Sequence, residues 1–249
     1  MTNANVYLLQ LTDLHLTADV TKQFRGVNPH ETLKATLAKS AHQLSWSAVL
    51  LTGDLANDDE HAYALLPQLF ADIDSPIYCM PGNHDMPDAM AAALDPRTFI
   101  LNGSGVHGAW LIVTLDTSVF SMAAGHVSEA ELARLETTLS AHPDKHALIA
   151  LHHPPVTMNS AWLDAIALKN SDALFAVLDR HPQVRVVTWG HAHQQFDARR
   201  DEVHLLCTPA TCVQFKPGTD DFMVDSLPPA YRWFCLGADG NVETDVIYI

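Results

Sequence analysis

The sequence predicts an α/β fold in which strands and helices alternate over the first four-fifths of the chain. Apolar runs of strand length recur along the 249 residues, and amphipathic helical patterns lie between several of them. Polar segments follow several of these runs directly, at the end of a strand where α/β proteins place their sites. The last fifth has strand-like runs without helices, so we expect part of the sheet to be antiparallel.

Nine apolar runs are predicted to be strands. They cover residues 6–11, 48–51, 77–80, 110–115, 146–151, 184–189, 203–207, 231–236 and 242–249. Their length of four to eight residues and their turn-forming flanks favour strands over buried helix segments.

Two helices have clear start signals. Asn28 is a capping residue followed by Pro29 at the first helical position, and apolar residues then repeat at helical spacing: Leu33, Leu37, Ala41 and Leu44. Ser128 and Glu131 form a capping box that leads into a second helix. Shorter helical patterns cover residues 62–70 and 171–178.

Composition and charge exclude several classes of function. The chain has 29 acidic and 14 basic residues and a formal charge of -15, which argues against general binding to nucleic acids. The first apolar run is too short for the core of a signal peptide, and no stretch approaches the ~18 apolar residues of a membrane span. We therefore expect neither a nucleic-acid nor a membrane partner.

The four cysteines indicate a reducing compartment. Cys79, Cys207, Cys212 and Cys235 form no CxxC pair, which fits free thiols in the cytoplasm better than a disulfide framework. No repeat or linker interrupts the chain, so we expect one domain over residues 1–249. The sequence leaves a monomer and a homodimer open.

Five polar segments contain the residue types that bind metal ions. They are Asp13-Leu14-His15, Gly53-Asp54, Gly82-Asn83-His84-Asp85, His152-His153-Pro154 and Gly190-His191-Ala192-His193. Four of them directly follow a predicted strand, so we expect the donors to meet at one edge of a sheet. Oxygen and nitrogen donors without cysteine favour metals such as Mn, Fe or Zn.

The spacing within these segments suits shared ions. Asp13 and His15 are two residues apart at the end of a strand, so their side chains lie on the same side, and His191 and His193 repeat this arrangement. The carboxylate of Asp54 has two oxygens and can bridge two ions. The sequence thus predicts a metal site with Asp54 as the candidate bridge.

The order of these segments resembles that of the calcineurin-like metallophosphoesterases, whose pattern is D-x-H, G-D, G-N-H-[DE], H and G-H-x-H. The resemblance runs from Asp13 to His193 and implies a four-layer α/β/β/α sandwich of two mixed β-sheets flanked by helices. It also implies two ion sites that share Asp54. The first ion would be held by Asp13, His15, Asp54 and His193, and the second by Asp54, Asn83, His152 and His191.

A reaction follows from two such ions. Two cations ~3.5–4 Å apart lower the pKa of a bridging water and create the hydroxide that attacks a phosphoester. His84 lies beside a ligand and is not one in the family pattern, so we predict that it is the catalytic general acid, or else a donor to a phosphate oxygen. Asp85 and Asp116 are expected either to orient ligand histidines or to stabilise turns. The residues predicted to contact substrate are His15, Asp54, Asn83, His84 and His193.

Segments outside the motifs narrow the substrate. Several segments resemble the bacterial class III 3',5'-cyclic AMP phosphodiesterases: residues 24–29, the helix start at Ser128, residues 152–155, and the tail from residues 208–217 to Arg232-Trp233. The resemblance implies hydrolysis of 3',5'-cyclic AMP to 5'-AMP with two divalent or trivalent ions, Fe and/or Mn first and Zn or Co as alternatives. Other small diesters, namely 2',3'-cyclic nucleotides or glycerophosphodiesters, remain open as substrates. A non-catalytic scaffold with the same fold is the third hypothesis.

Overall fold

In the computed structural model, which describes residues 4–41 and 45–249, twelve strands form two six-stranded sheets. The first sheet contains β1 (Val6–Leu11), β2 (Ala48–Thr52), β3 (Ile77–Met80), β4 (Phe99–Leu101), β11 (Ala230–Leu236) and β12 (Val242–Tyr248). Its order is β12-β11-β1-β2-β3-β4. Strands β1 to β4 are parallel to one another, whereas β11 pairs antiparallel with both β1 and β12. The sequence predicts this antiparallel part, because it has no helical pattern between the last strands.

The second sheet has the same mixed character. It contains β5 (Ser104–His107), β6 (Trp110–Thr114), β7 (His146–Ala150), β8 (Val184–Trp189), β9 (Phe196–Arg200) and β10 (Val203–Cys207), in the order β5-β6-β7-β8-β10-β9. The four central strands are parallel and the two edge strands are antiparallel.

Helices cover the outer faces of the two sheets. They are α1 (Pro29–Ala41), a 3-10 helix (Glu60–Leu65), α2 (Leu66–Leu69), α3 (Pro87–Ala93), α4 (Glu129–Ser140), α5 (Ala161–Asp164) and α6 (Ser171–Leu178). Within the described ranges no helix is long and apolar enough to cross a membrane. The start signals act as predicted: Asn28 Oδ1 accepts from the His30 and Glu31 amides, and Ser128 Oγ accepts from the Glu131 amide. Leu44 lies outside the described residues.

Apolar layers fill the space between the two sheets and the space between each sheet and its helices. Leu8 and Leu50 pack between the sheets with residues of the second sheet such as Leu148. Their sequence neighbours Leu9 and Leu51 face the opposite way and pack under the helices of the first sheet. Because both faces of these strands are buried, β1 and β2 are apolar at most positions. The predicted α/β/β/α sandwich is confirmed.

The elements that sequence patterns missed are short or polar. Strands β5 and β9 lie at a sheet edge with alternately exposed side chains and few apolar residues, so they lack the apolar run of a buried strand. The helix predicted over residues 62–70 is in fact a 3-10 turn followed by α2. Pro67 lies in the first turn of α2, and since it has no amide hydrogen it cannot continue an α-helix from the preceding turn.

Candidate functional site

The predicted ligands lie at the C-terminal ends of strands from both sheets. Asp13 and His15 follow β1, Asp54 follows β2 and Asn83 follows β3, while His152 follows β7 and both His191 and His193 follow β8. The expectation that one sheet supplies every donor is wrong. The sheets pack face to face with these strand ends on the same side, so each sheet supplies part of the site.

The backbone at this site adopts conformations that residues other than glycine rarely adopt. Positive φ angles occur at five of the seven predicted ligands: Asp13 (53°), His15 (48°), Asp54 (51°), His191 (63°) and His193 (49°). Such strain persists only where the surroundings determine it, and it is concentrated at functional sites. Here the His15 amide donates to the Asp54 carbonyl at 2.9 Å and the Asp13 amide donates to the Gly53 carbonyl at 3.0 Å.

Two glycines allow the chain to approach the ligands closely. Gly53 has a φ of 92°, and a Cβ added there would overlap the ring of His152. A Cβ added at Gly82 would overlap the carboxylate of Asp54. Both motif glycines are therefore required by space at the site, and Gly53 also by its backbone conformation.

The first donor set brings together two bare ring nitrogens. The Nε2 atoms of His15 and His193 are 3.2 Å apart. Their Nδ1 atoms contact oxygens that accept hydrogen bonds, Asn57 Oδ1 at 3.2 Å and the Val213 carbonyl at 2.6 Å. Each Nδ1 therefore carries the proton, and two lone pairs face each other at a distance that favours a shared cation.

Two carboxylates complete this first set. Asp13 Oδ1 lies 3.3 Å from His193 Nε2, and Asp54 Oδ2 lies 3.7 Å from His15 Nε2. These are the four residues that the sequence pattern assigns to the first ion. Burial lowers the pKa of His15 to about 3, so its ring is neutral and keeps a lone pair for a cation.

In the second donor set, nitrogen and oxygen donor atoms again converge. His152 donates through Nδ1 to the Thr52 carbonyl at 2.8 Å, which directs its Nε2 into this set. Burial lowers the pKa of His152, but Asp54 raises it by more, to about 9, so a bound cation would take the place of a proton on Nε2. That atom lies 3.2 Å from His191 Nδ1, 3.3 Å from Asn83 Oδ1 and 3.6 Å from Asp54 Oδ1. Two ring nitrogens, an amide oxygen and a carboxylate oxygen thus converge, and a bound cation would satisfy them.

Asp54 joins the two sets. One carboxylate oxygen faces His15 and the other faces His152. Burial by itself raises the pKa of this carboxyl, but His152 and His15 lower the pKa by more, so the group is ionised. The donors therefore fit two cations that share one carboxylate.

Aromatic rings fix the orientation of the first pair of histidines. Phe24 stacks on His15 with ring centroids 4.2 Å apart, and Phe215 stacks on His193 at 3.9 Å. Both phenylalanines come from segments that the sequence resemblance singled out. Their packing holds the ring planes and so directs each Nε2 toward the donor set.

His84 differs from the ligand histidines in exposure and in partner. About a third of its side chain is exposed (34%), whereas those of the ligand histidines are buried. Its Nδ1 lies 3.0 Å from Asp58 Oδ2, and its backbone amide donates to Asp54 Oδ1 at 2.9 Å. Burial lowers the pKa of His84, but the carboxylates of Asp54 and Asp58 raise the pKa by more. The His84 ring lies at the edge of the site, and its contact with the Asp58 carboxylate favours the protonated ring that a proton donor needs.

Two partners in the loop after β2 escaped the sequence reasoning. Asn57 contacts His15 Nδ1, and Asp58 contacts His84 Nδ1. They lie three and four residues after Asp54, at the start of the polar run Asn57-Asp58-Asp59-Glu60, and this polar run was the available signal for both residues.

Asp85 and Asp116 have structural contacts. The Asp85 carboxylate accepts hydrogen bonds from the amides of Leu55, Ala56 and Gly82 at 2.9 to 3.0 Å, so it ties the loop after β2 to the loop after β3. Asp116 accepts from the amide and hydroxyl of Ser118. Of the two roles expected, the contacts favour stabilisation of loops and turns.

The structure also brings a cysteine to the first donor set. Cys212 Sγ lies within 4.8 Å of a ring nitrogen of His15 and of His193. The thiol donates a hydrogen bond to the Asp13 carbonyl at 3.1 Å. Burial raises the pKa of this thiol far above its ordinary value, so it stays protonated and is a poor ligand. A lone cysteine outside any metal-binding motif carried no sequence signal for this position.

Comparison with known proteins places the chain in a family. Residues 6–195 match the calcineurin-like phosphoesterases. The chain belongs to that family. It is 36% identical to the 3',5'-cyclic adenosine monophosphate phosphodiesterase CpdA of Pseudomonas aeruginosa, over 98% of this chain and 90% of the relative. It is 38% identical to CpdA of Escherichia coli K12 over the same shares of the two chains. The predicted family resemblance is confirmed.

Solved structures share the fold at low sequence identity. A dimetal phosphatase from Danio rerio superposes with a TM-score of 0.63 at 17% identity, and the match covers 98% of both chains. GAP50, described as the anchor in the inner membrane complex of Plasmodium, superposes with a TM-score of 0.64 at 11% identity, over 98% of this chain and 85% of that one. Family membership and the two donor sets together identify a dinuclear metal site.

Proposed function

We propose that this protein hydrolyses 3',5'-cyclic AMP to 5'-AMP at its dinuclear site. The observation that carries the phosphodiesterase chemistry is the pair of donor sets joined by Asp54, whose two oxygens face opposite sets. The choice of substrate is supported by near full-length similarity to curated cyclic AMP phosphodiesterases.

In this proposal the chain supplies two ligand sets. Asp13, His15, Asp54 and His193 would hold one ion, and Asp54, Asn83, His152 and His191 would hold the other. Bound cations supply Lewis acidity to the phosphoryl oxygens and lower the pKa of a water molecule. Burial lowers the pKa of His15 and of His191 to about 3, so these two rings are neutral and have free lone pairs, and the ionised carboxylate of Asp54 adds the negative charge that suits the ions.

His84 would protonate the leaving group. Hydrolysis breaks the bond between phosphorus and the 3'-oxygen, and the released alkoxide needs a proton while the phosphate stays on the 5'-oxygen. His84 lies at the exposed edge of the site, and Asp58 accepts its Nδ1 proton at 3.0 Å, which leaves Nε2 to carry the transferred proton. Proposed contacts with the substrate phosphate and sugar are made by His15, Asp54, Asn83, His84 and His193.

The native metals and the compartment are part of the proposal. Nitrogen and oxygen donors favour Fe and/or Mn, with Zn or Co as alternatives, because such sites accept several first-row ions. We propose a cytoplasmic location, which is supported by four free, buried cysteines in a chain without disulfides among its described residues.

A substrate panel tests the reaction. Rates of hydrolysis are measured for 3',5'-cyclic AMP, 2',3'-cyclic AMP and glycerophosphocholine, each with and without a chelator. We expect the highest kcat/KM for 3',5'-cyclic AMP and loss of all activity with the chelator. A higher kcat/KM for either other diester would replace cyclic AMP by that class of substrate.

Metal analysis separates an enzyme from a scaffold. The fold neighbour GAP50 is described as an anchor, so the fold by itself does not establish catalysis. We expect two ions per chain after equilibration with Mn²⁺. A protein that binds none and stays inert with added Mn, Fe or Zn would support the scaffold hypothesis.

A further inference from the structure

A groove lies beside the donor sets, and most of its lining residues belong to neither set. Its volume is about 530 Å³, within the range of small-molecule sites, and Asn83 and His84 form part of its wall. Met86, Asp116 and Phe120, which belong to neither donor set, also line it. The groove is therefore continuous with the reacting centre at the ligand Asn83 and the proposed acid His84.

Phe120 is the most exposed large apolar side chain in the described part of the protein, at 96%. It lies at the tip of a tight turn in which the Met122 amide donates to the Val119 carbonyl at 3.0 Å. Ser121 in the same turn has a positive φ of 58°. The turn holds an aromatic ring in water at the rim of the groove, where a planar ligand could cover it.

Charge selects what enters the groove. Besides His84, its ionisable wall residues are all acidic: Asp58, Asp88 and Asp116, and Asp85, whose oxygens are already bonded to backbone amides. Carboxylates repel a phosphate but accept hydrogen bonds from amines and hydroxyls. The anionic part of a substrate is thus driven toward the ions, and a neutral part with donor groups fits the groove.

The position of His84 sets the direction of the substrate. The 3'-oxygen that His84 would protonate belongs to the ribose, so the sugar lies next to His84 while the phosphate lies on the ions. The base, which is attached to that sugar, then extends into the groove that His84 and Phe120 both line. An adenine offers both an aromatic face and an amine donor.

We propose that this groove binds the nucleoside half of the substrate and that Phe120 stacks on the base. The inference rests on the proposed function, since it takes the phosphate to be at the ions and the 3'-oxygen at His84. Phe120 is then a specificity-determining residue that contributes to binding and not to bond cleavage.

The test separates binding of the base from cleavage. In Phe120→Ala, loss of one base–aromatic stack is expected to raise KM for 3',5'-cyclic AMP about tenfold, with kcat within about twofold. kcat/KM for methyl 4-nitrophenyl phosphate, which has no nucleoside, should be unchanged. Phe120→Trp should restore the low KM, because it keeps an aromatic face.

Met122→Ala is the matched control, because Met122 is exposed (52%) on the same turn but does not line the groove. Its KM should equal that of the unchanged protein. An unchanged KM in Phe120→Ala, with cyclic AMP still hydrolysed, would overturn this inference and leave the proposed function standing. Phe120→Ala could instead convert a dimer to a monomer and leave KM unchanged. Phe120 would then pack against a second copy of the chain, and the inference would be wrong. Failure of the unchanged protein to hydrolyse cyclic AMP would overturn the proposed function and this inference with it.

Discussion

At the scale of single residues, position relative to the donor sets separates ligands from the proposed acid. The side chains of the six buried residues predicted to be ligands point oxygens or nitrogens toward one another: Asp13, His15, Asp54, His152, His191 and His193. His84 is adjacent in sequence to the ligand Asn83, yet it lies farther out and pairs with an exposed carboxylate. About one third of the His84 side chain is exposed, and its ring is hydrogen-bonded to Asp58. These two features suit the proposed role, in which the ring reaches a leaving group and exchanges protons with water.

Replacing the shared carboxylate should disable both ion sites. Asp54→Ala is expected to bind fewer than two ions and to lose phosphodiesterase activity, because each set loses an oxygen ligand. Metal content by atomic absorption checks this, with the exposed Asp144→Ala as the control that keeps both ions. Two ions retained in Asp54→Ala would contradict the bridging role.

Replacing the proposed acid should affect rate and not metal content. His84→Ala is expected to keep two ions and lose ~10²–10⁴-fold in kcat on 3',5'-cyclic AMP. Activity on a 4-nitrophenyl ester should fall far less, because that leaving group departs without a proton. A comparable loss on both substrates would argue that His84 binds phosphate instead.

Asp58→Asn should show the same dependence on the leaving group at smaller amplitude, since Asp58 acts through its contact with the His84 ring.

At the scale of elements, turns after parallel strands create the site. Each turn must leave its strand sharply, and the positive φ angles of five ligands show how sharply. Asp85 then ties the turn after β2 to the turn after β3 through three amide donors. These turns are packed so closely that an added methyl group at Gly82 has no room.

Gly82→Ala tests this close packing. The added Cβ would overlap the Asp54 carboxylate, so we expect weaker metal binding and about 1–3 kcal/mol of lost stability. Thermal unfolding and metal titration measure the two effects. Gly218→Ala is the control, because that glycine has open space around it and its positive φ alone is strained. Metal affinity equal to that of the unchanged protein would show that the turn after β3 can shift freely.

At the scale of the whole molecule, the proposed ions join two sheets. Donors from β1, β2 and β3 meet donors from β7 and β8, so bound cations would add a link between layers that otherwise contact through apolar packing. The prediction of one domain over residues 1–249 stays a prediction, as does the choice between a monomer and a homodimer.

Chelation should therefore lower the stability of the fold. Ions present at about 100 times their dissociation constant stabilise the native state by about 2.7 kcal/mol each. Removal of both is expected to lower Tm by about 10 °C or more, and added Mn²⁺ should restore it. Asp54→Ala should respond little to the chelator. A Tm that the chelator leaves unchanged would mean that the ions do not link the sheets.

Residue order by itself determined the alternation of strands and helices, the helix starts and the set of candidate donors, because these depend on local periodicity and on short motifs. It could not determine which sheet each strand joins, since strand pairing depends on contacts between distant segments, and the expectation of a single sheet edge was wrong. Asn57 and Asp58 became visible as partners only when the turn after β2 placed them beside His15 and His84. The groove below Phe120 likewise exists only because packing brings residues 82–88 and 116–121 together.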